Sequence, residues 1–161
     1  MASSQTFPTV VHPFESPTPH ARAYETGLKD AKNALVFIGG LGDGPHTVPY
    51  PRAIGKHLES FPELSYSVFE FTMRSSFLGF GFSRLANDVE DISALVRYLK
   101  SIGKQRVVLI GHSTGCQVHK LPPVKFAYSL PFSNKAFPFS SLKAADKYRT
   151  SWNTPPRHTR T

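Results

Sequence analysis

A chain of 161 residues, 40% apolar and carrying a formal net charge of +8, can bury one domain's core. Its apolar content excludes wholesale disorder, and its one cysteine, Cys116, excludes a disulfide framework or a Cys-rich zinc module. No stretch reaches the roughly 18 apolar residues that span a bilayer, and the first residues lack a secretory leader's basic flank and apolar run. We therefore expect a soluble, cytoplasmic protein with no membrane partner.

The charge is unevenly placed. Residues 1–117 carry 11 Lys and Arg against 10 Asp and Glu, whereas residues 118–161 carry 8 against Asp146 alone. The same tail holds 6 of the 14 prolines and Trp152. Two regimes meet near Gln117, and we divide the chain into a domain over 1–117 and a basic, Pro- and aromatic-rich, poorly ordered tail over 118–161.

In the first regime, residues 9–25 alternate weakly between prolines and predict one or two short strands at a sheet edge. Ala34 to Ile38 is a continuous apolar run that stops at Gly39-Gly40, as a strand buried on both faces does. Pro49-Tyr50-Pro51 then opens a helix over Arg52 to Ser60, with Ile54 and Leu58 on its inner face. Tyr66 to Phe71 is the next strand. Leu85, Val89, Ile92, Val96 and Leu99 mark the clearest helix, with Asp88, Glu90, Asp91 and Arg97 on its opposite side and Gly103 as its stop. Arg106 to Ile110 reads as a second buried strand. This rhythm predicts right-handed βαβ units and a parallel α/β sheet.

That last strand runs into Gly111-His112-Ser113-Thr114-Gly115, a G-x-S-x-G. Leaving a strand and entering a helix within one residue strains that residue, and its neighbours two positions either side must lack side chains. The serine hydroxyl is thereby lifted clear of the sheet. An oxyanion formed by attack of Ser113 on an ester carbonyl would meet the N–H of Thr114. Gly39-Gly40-Leu41, at the end of an earlier strand, offers the second donor through the N–H of Leu41.

The runs FIGGLGDG, SSFLGFG and VVLIGHSTGCQ together resemble a eukaryotic α/β-hydrolase family of fungi and plants known as a domain of unknown function. Its fungal members include esterases that open ester-linked siderophores. The resemblance covers about residues 9–117. It implies an α/β-hydrolase fold, present here as its N-terminal half, with the parallel sheet ending just after the elbow. It also implies Ser113 as nucleophile, the N–H groups of Leu41 and Thr114 as oxyanion hole, and Gly111, His112 and Gly115 as the elbow. Gly40 and the Ser75-Ser76 loop would wall the pocket, and the substrate would be a small-molecule ester. The family pattern continues with an acidic residue and a long helix; here Val118-His119-Lys120-Leu121-Pro122-Pro123 follows, and proline stops the helix after about two turns. The change at Val118 is of the kind that a retained intron or shifted frame produces.

A serine nucleophile needs a base and an orienting acid, which this fold carries later in the chain. Only His119, His158 and Asp146 follow Ser113, in sequence without βαβ rhythm, so the triad reads as incomplete and this chain as inactive. His12, His20, His46 and His57 show no metal-ligand spacing, and GGLGDG lacks the Gly-Lys-Ser/Thr of a P-loop. We expect neither metal nor cofactor. Cys116 reads as a small buried hydrophobe, and Asp30 and Asp43 as loop residues. The tail's lysines among Phe126, Tyr128, Phe132, Phe137 and Phe139 would suit single-stranded nucleic acid, but their lack of period argues against that partner. The functional expectation is a serine ester hydrolase lineage, of siderophore-ester type, without turnover in this chain. The alternatives are a non-catalytic product and a basic-tail interaction module. No motif encodes the oligomeric state.

Overall fold

The computed structural model describes residues 6–118. Expectations resting on residues 119–161, among them the tail domain, the Pro122-Pro123 stop, His119, Asp146 and His158, lie outside the described residues.

Among the described residues five strands form one sheet in the order β1-β2-β4-β3-β5, with β1 Val10–Pro13, β2 Arg22–Gly27, β3 Asn33–Ile38, β4 Tyr66–Phe71 and β5 Arg106–Gly111. The helices are α1 Tyr50–Leu58, α2 Leu85–Ser101 and the single turn α3 Gly115–Val118. The sheet is mixed. β4, β3 and β5 are parallel, as the βαβ rhythm predicts, whereas β1 and β2 run antiparallel along one side. The proline-broken segment thus forms the outer hairpin, where missing N–H donors are tolerated.

β3 is the pivot of the fold. Its chain leaves through α1 to β4 on one side, then returns through α2 to β5 on the other. Right-handed crossovers in opposite directions place the two helices on opposite faces of the sheet. The α2 face holds the main core: Ala34, Val36 and Ile38 of β3 alternate inward with Phe69 and Phe71 of β4 against Val89, Ile92, Leu95 and Leu99. Burying each such aliphatic side chain contributes about 1.5–3 kcal/mol. On the other face α1 touches β2 and β4. It begins two residues earlier than the sequence predicts, and its buried residues are Pro51 and Gly55, with Ile54 and Leu58 half-buried.

Two sequence expectations are corrected. Asp88 and Asp91 do not lie on an outer face of α2; both are buried. Asp91 accepts hydrogen bonds from Ser16 Oγ at 3.0 Å, Thr18 Oγ1 at 2.7 Å and the Arg74 backbone N–H at 3.0 Å. These polar partners come from distant loops, which is why apolar periodicity alone misplaced the carboxylates. Secondly, β5 lacks the two-sided burial that its apolar run alone suggests, in keeping with the expected end of the sheet just after the elbow, which leaves its edge uncovered. Among the described residues it pairs only with β3, and Val108 is 41% exposed.

Candidate active site

The carboxyl ends of β3 and β5 lie side by side, since Ile38 pairs with Gly111. This is where the direction of strand addition reverses, and the crevice outside such strand ends is where open α/β sheets bind ligands. Two loops meet there: Gly39 to Thr47 after β3, and the turn His112 to Thr114 after β5.

Ser113 sits in the left-handed region at φ +53°, a conformation that costs a non-glycine residue of order 1–3 kcal/mol. The elbow is held in place by its backbone. His112 N–H donates to Ile38 O at 2.9 Å, and Cys116 N–H donates to Ser113 O at 3.0 Å. A Cβ on Gly115 would collide with the carbonyl oxygens of Ile38 and Gly39, and one on Gly111 would approach Gly115 O at 2.7 Å. The two glycines are therefore required by the close passage of α3 over the end of β3. The Ser113 side chain is exposed, and among the described residues its hydroxyl has no hydrogen-bond partner.

The β3 loop presses against this turn. A Cβ on Gly40 would lie 2.9 Å from Cβ of Ser113. Gly40 N–H donates to Asp43 Oδ2 at 2.7 Å, so this amide is already committed. The next one, on Leu41, has no acceptor among the described residues, and neither has that of Thr114. The structure thus brings Gly40, Leu41, Gly111, His112, Ser113, Thr114 and Gly115 together. The two loop serines separate. Ser76 lines a small pocket with Gly39, Asp43, Gly44, Glu70 and Met73. Ser75 turns to α2, its backbone N–H donating to Asp88 Oδ1 at 3.3 Å.

His112 makes no hydrogen bond to the Ser113 hydroxyl. Its Nδ1 lies 3.2 Å from Asp43 Oδ2, and its ring stacks on Phe37 and meets Tyr50 edge-on. Burial, Asp43 and Cys116 together push the Tyr50 phenol up from its ordinary pKa. Cys116 is corrected too: it is exposed, and its Sγ donates to Gly111 O at 3.0 Å. Asp43 is the site residue that sequence reasoning missed; its one signal was an Asp three positions after Gly40, the spacing at which a side chain can cap the turn that its own backbone closes.

The remaining titratable pairs are structural. His12 lies 2.9 Å from Glu25, His46 lies 2.9 Å from Glu70, and no group of His, Cys, Asp and Glu suited to a metal ion exists among the described residues. No helix among them is long and apolar enough to cross a membrane.

Comparison with known proteins places the chain in a family. A family model described as "Protein of unknown function (DUF1749)" matches residues 1–120. Fusarinine C esterase sidJ of Aspergillus fumigatus is 32% identical over 109 residues, which are 61% of this chain and 30% of that protein. An esterase of Emericella nidulans is 35% identical over 99 residues, 56% of this chain and 25% of its own. Siderophore hydrolase EstB of Aspergillus fumigatus superimposes with a TM-score of 0.61 at 26% identity, over 83% of this chain and 39% of that one. The chain spans 25–30% of the length of these two curated esterases. Its fold is a partial α/β-hydrolase fold.

Proposed function

The chain belongs to the DUF1749 family, and from that membership we propose that it carries the nucleophile and oxyanion half of a serine ester hydrolase. Ser113 is the nucleophile, and the N–H groups of Leu41 and Thr114 stabilise the oxyanion. The observation that carries this reading is the left-handed Ser113 at the end of β5, with Gly40 of the neighbouring loop packed against it. Its substrate would be a small-molecule ester in the cytoplasm. The names of its esterase relatives favour an ester-linked siderophore such as fusarinine C.

We further propose that these 161 residues turn esters over only slowly. Among the described residues no histidine, His112 included, hydrogen-bonds to Ser113 Oγ. A site left with oxyanion stabilisation and binding alone keeps about 10³–10⁴-fold acceleration over water. A short-chain aryl ester assay and covalent labelling, each on the chain and on Ser113→Ala, test both statements. A weak rate within that range is expected in both proteins, because it does not pass through the serine, whereas an alkyl phosphonofluoridate is expected to label the chain and not Ser113→Ala. A rate far above that range, lost in the variant, would overturn the claim of slow turnover, and equal labelling of both proteins would overturn Ser113 as nucleophile.

A further inference from the structure

We propose that Asp43 is a positioning residue whose single carboxylate ties the β3 loop to the nucleophile elbow and so sets the place of the Leu41 N–H relative to Ser113. This rests on the hydrolase reading above and assigns a residue that the G-x-S-x-G pattern does not contain.

The carboxylate receives two donors on one oxygen, and Thr47 approaches the other with a hydroxyl whose single proton is nearer Gly44 O, at 2.8 Å. Gly40 N–H reaches Oδ2 at 2.7 Å, His112 Nδ1 reaches the same oxygen at 3.2 Å, and Thr47 Oγ1 lies 3.3 Å from Oδ1. Against an ionised carboxylate, which only accepts, Nδ1 of His112 is the donor in this contact. Oδ2 is therefore shared between the loop that precedes Leu41 and the residue that precedes Ser113. Charge-assisted bonds of this kind are about twice as strong as neutral ones.

The backbone of Asp43 extends the tie. Its N–H closes a turn on Gly40 O at 3.1 Å, and its carbonyl accepts from Phe77 N–H at 3.4 Å. The approach needs the two glycines before it: a Cβ on Gly39 would lie 2.7 Å from Asp43 Cβ, and one on Gly40 would lie 3.3 Å from Oδ2. Taking the Gly40 amide has a directional consequence. That N–H turns inward to the carboxylate, and the following amide is the one left for a ligand. An oxyanion hole is effective only when its donors are fixed before charge develops, and a loop of glycines cannot fix itself.

The test uses the full chain with Asp43→Asn, Asp43→Ala and, as control, Asp30→Asn in a loop remote in sequence from the elbow. Three quantities are read: hydrogen exchange at the Gly40 amide, the His112 tautomer by nitrogen NMR, and the rate at which an alkyl phosphonofluoridate labels Ser113. In that labelling Ser113 Oγ bonds to phosphorus, fluoride leaves, and the serine proton passes to solvent. Asp43→Ala is expected to speed Gly40 exchange at least tenfold, release the Nδ1-H tautomer and slow labelling about tenfold, whereas Asp43→Asn, whose amide oxygen still accepts, is expected to stay nearer wild type. Asp30→Asn is expected to match wild type. If Asp43→Ala does not fold, Asp43→Leu, which keeps the side-chain volume without an acceptor, carries the comparison. Wild-type exchange and tautomer in the variant without an acceptor overturn the proposal whatever the labelling shows, as does labelling at the wild-type rate. Wild-type Ser113 that labels no faster than the urea-unfolded chain overturns the hydrolase reading instead, and exchange and tautomer then decide the Asp43 tie by themselves.

Discussion

Arg74 Nε donates to Asp91 Oδ2 at 3.3 Å, and the Asp91 side chain at the other end of that bond is fully buried. Arg74 also reaches Asn87 O at 3.0 Å and pairs with Glu90, so one guanidinium fastens the loop after β4 to α2. The loop that carries Ser75 and Ser76 begins at this anchor.

Removing one partner of a buried pair leaves a desolvated charge or polar groups without acceptors, at a cost of about 3–5 kcal/mol. Asp91→Ala is expected to lose that much in urea unfolding, because the Ser16 and Thr18 hydroxyls and the Arg74 backbone N–H all lose their acceptor. Asp91→Asn is expected to lose less, since its carbonyl still accepts. Equal midpoints for wild type and Asp91→Ala would refute the assignment.

Gly115→Ala inserts a methyl group where the backbone carbonyls of Ile38 and Gly39 already stand. Overpacking of this kind costs about 1–3 kcal/mol, and more against backbone that cannot move aside. The variant is expected to unfold at lower urea and to lose Ser113 labelling even at denaturant concentrations where it is still folded. Preserved labelling would show that α3 does not need its close passage over β3.

Glu25 and Asp88 give opposite pH dependences. Burial pushes the Glu25 carboxyl up, but Lys104, Ser67 and His12 outweigh it and hold it below its ordinary pKa. Its contribution is therefore complete above the unfolded-state value and is lost as pH falls through the folded one. Lys104→Met is expected to lower the urea midpoint at pH 7 and to flatten its decline in acid. A decline as steep as that of wild type would count against the pair.

Burial pushes the Asp88 carboxyl up, against the lowering effect of its Ser75 hydrogen bonds. The folded state then favours the protonated form, so the stability it gives is present below the unfolded pKa and lost as pH rises through the folded one. Asp88→Asn is expected to raise the midpoint at pH 7 and to leave it unchanged in acid below the carboxylate range. A lowered midpoint at pH 7 would show that the Ser75 bonds need the charge.

The parts legible in the sequence are those dictated by backbone geometry and local period. The strand ends at Ile38 and Gly111 were announced by glycine, and the spacing of Gly111, Ser113 and Gly115 states a steric requirement that φ +53° at Ser113 embodies. The α2 stripe was legible because Val89, Ile92 and Leu99 repeat with the helix. Asp91 was not, because its partners stand as far back as Ser16 and no periodicity encodes a polar contact across 75 positions. Asp43 was hidden similarly: its value lies in His112, which only the parallel pairing of β3 with β5 brings near. Cys116 was misjudged because helix position suggests burial only when something covers the helix.

The pairing of β3 with β5 also has a kinetic meaning. Asn33 meets Arg106 across 73 intervening steps of chain, and among the described residues no other strand holds β5. Closing so long a loop is entropically slow, and β5 can dock only once β3 and β4 offer a sheet to join. The β1–β2–β4–β3 platform should thus acquire amide protection first during refolding, and β5 last. In the native protein the same strand should be the first to open, its amides exchanging through local rather than global unfolding. The strained turn at Ser113 hangs from that strand, so the reactive geometry would be present only for the fraction of time that β5 is zipped onto its neighbour.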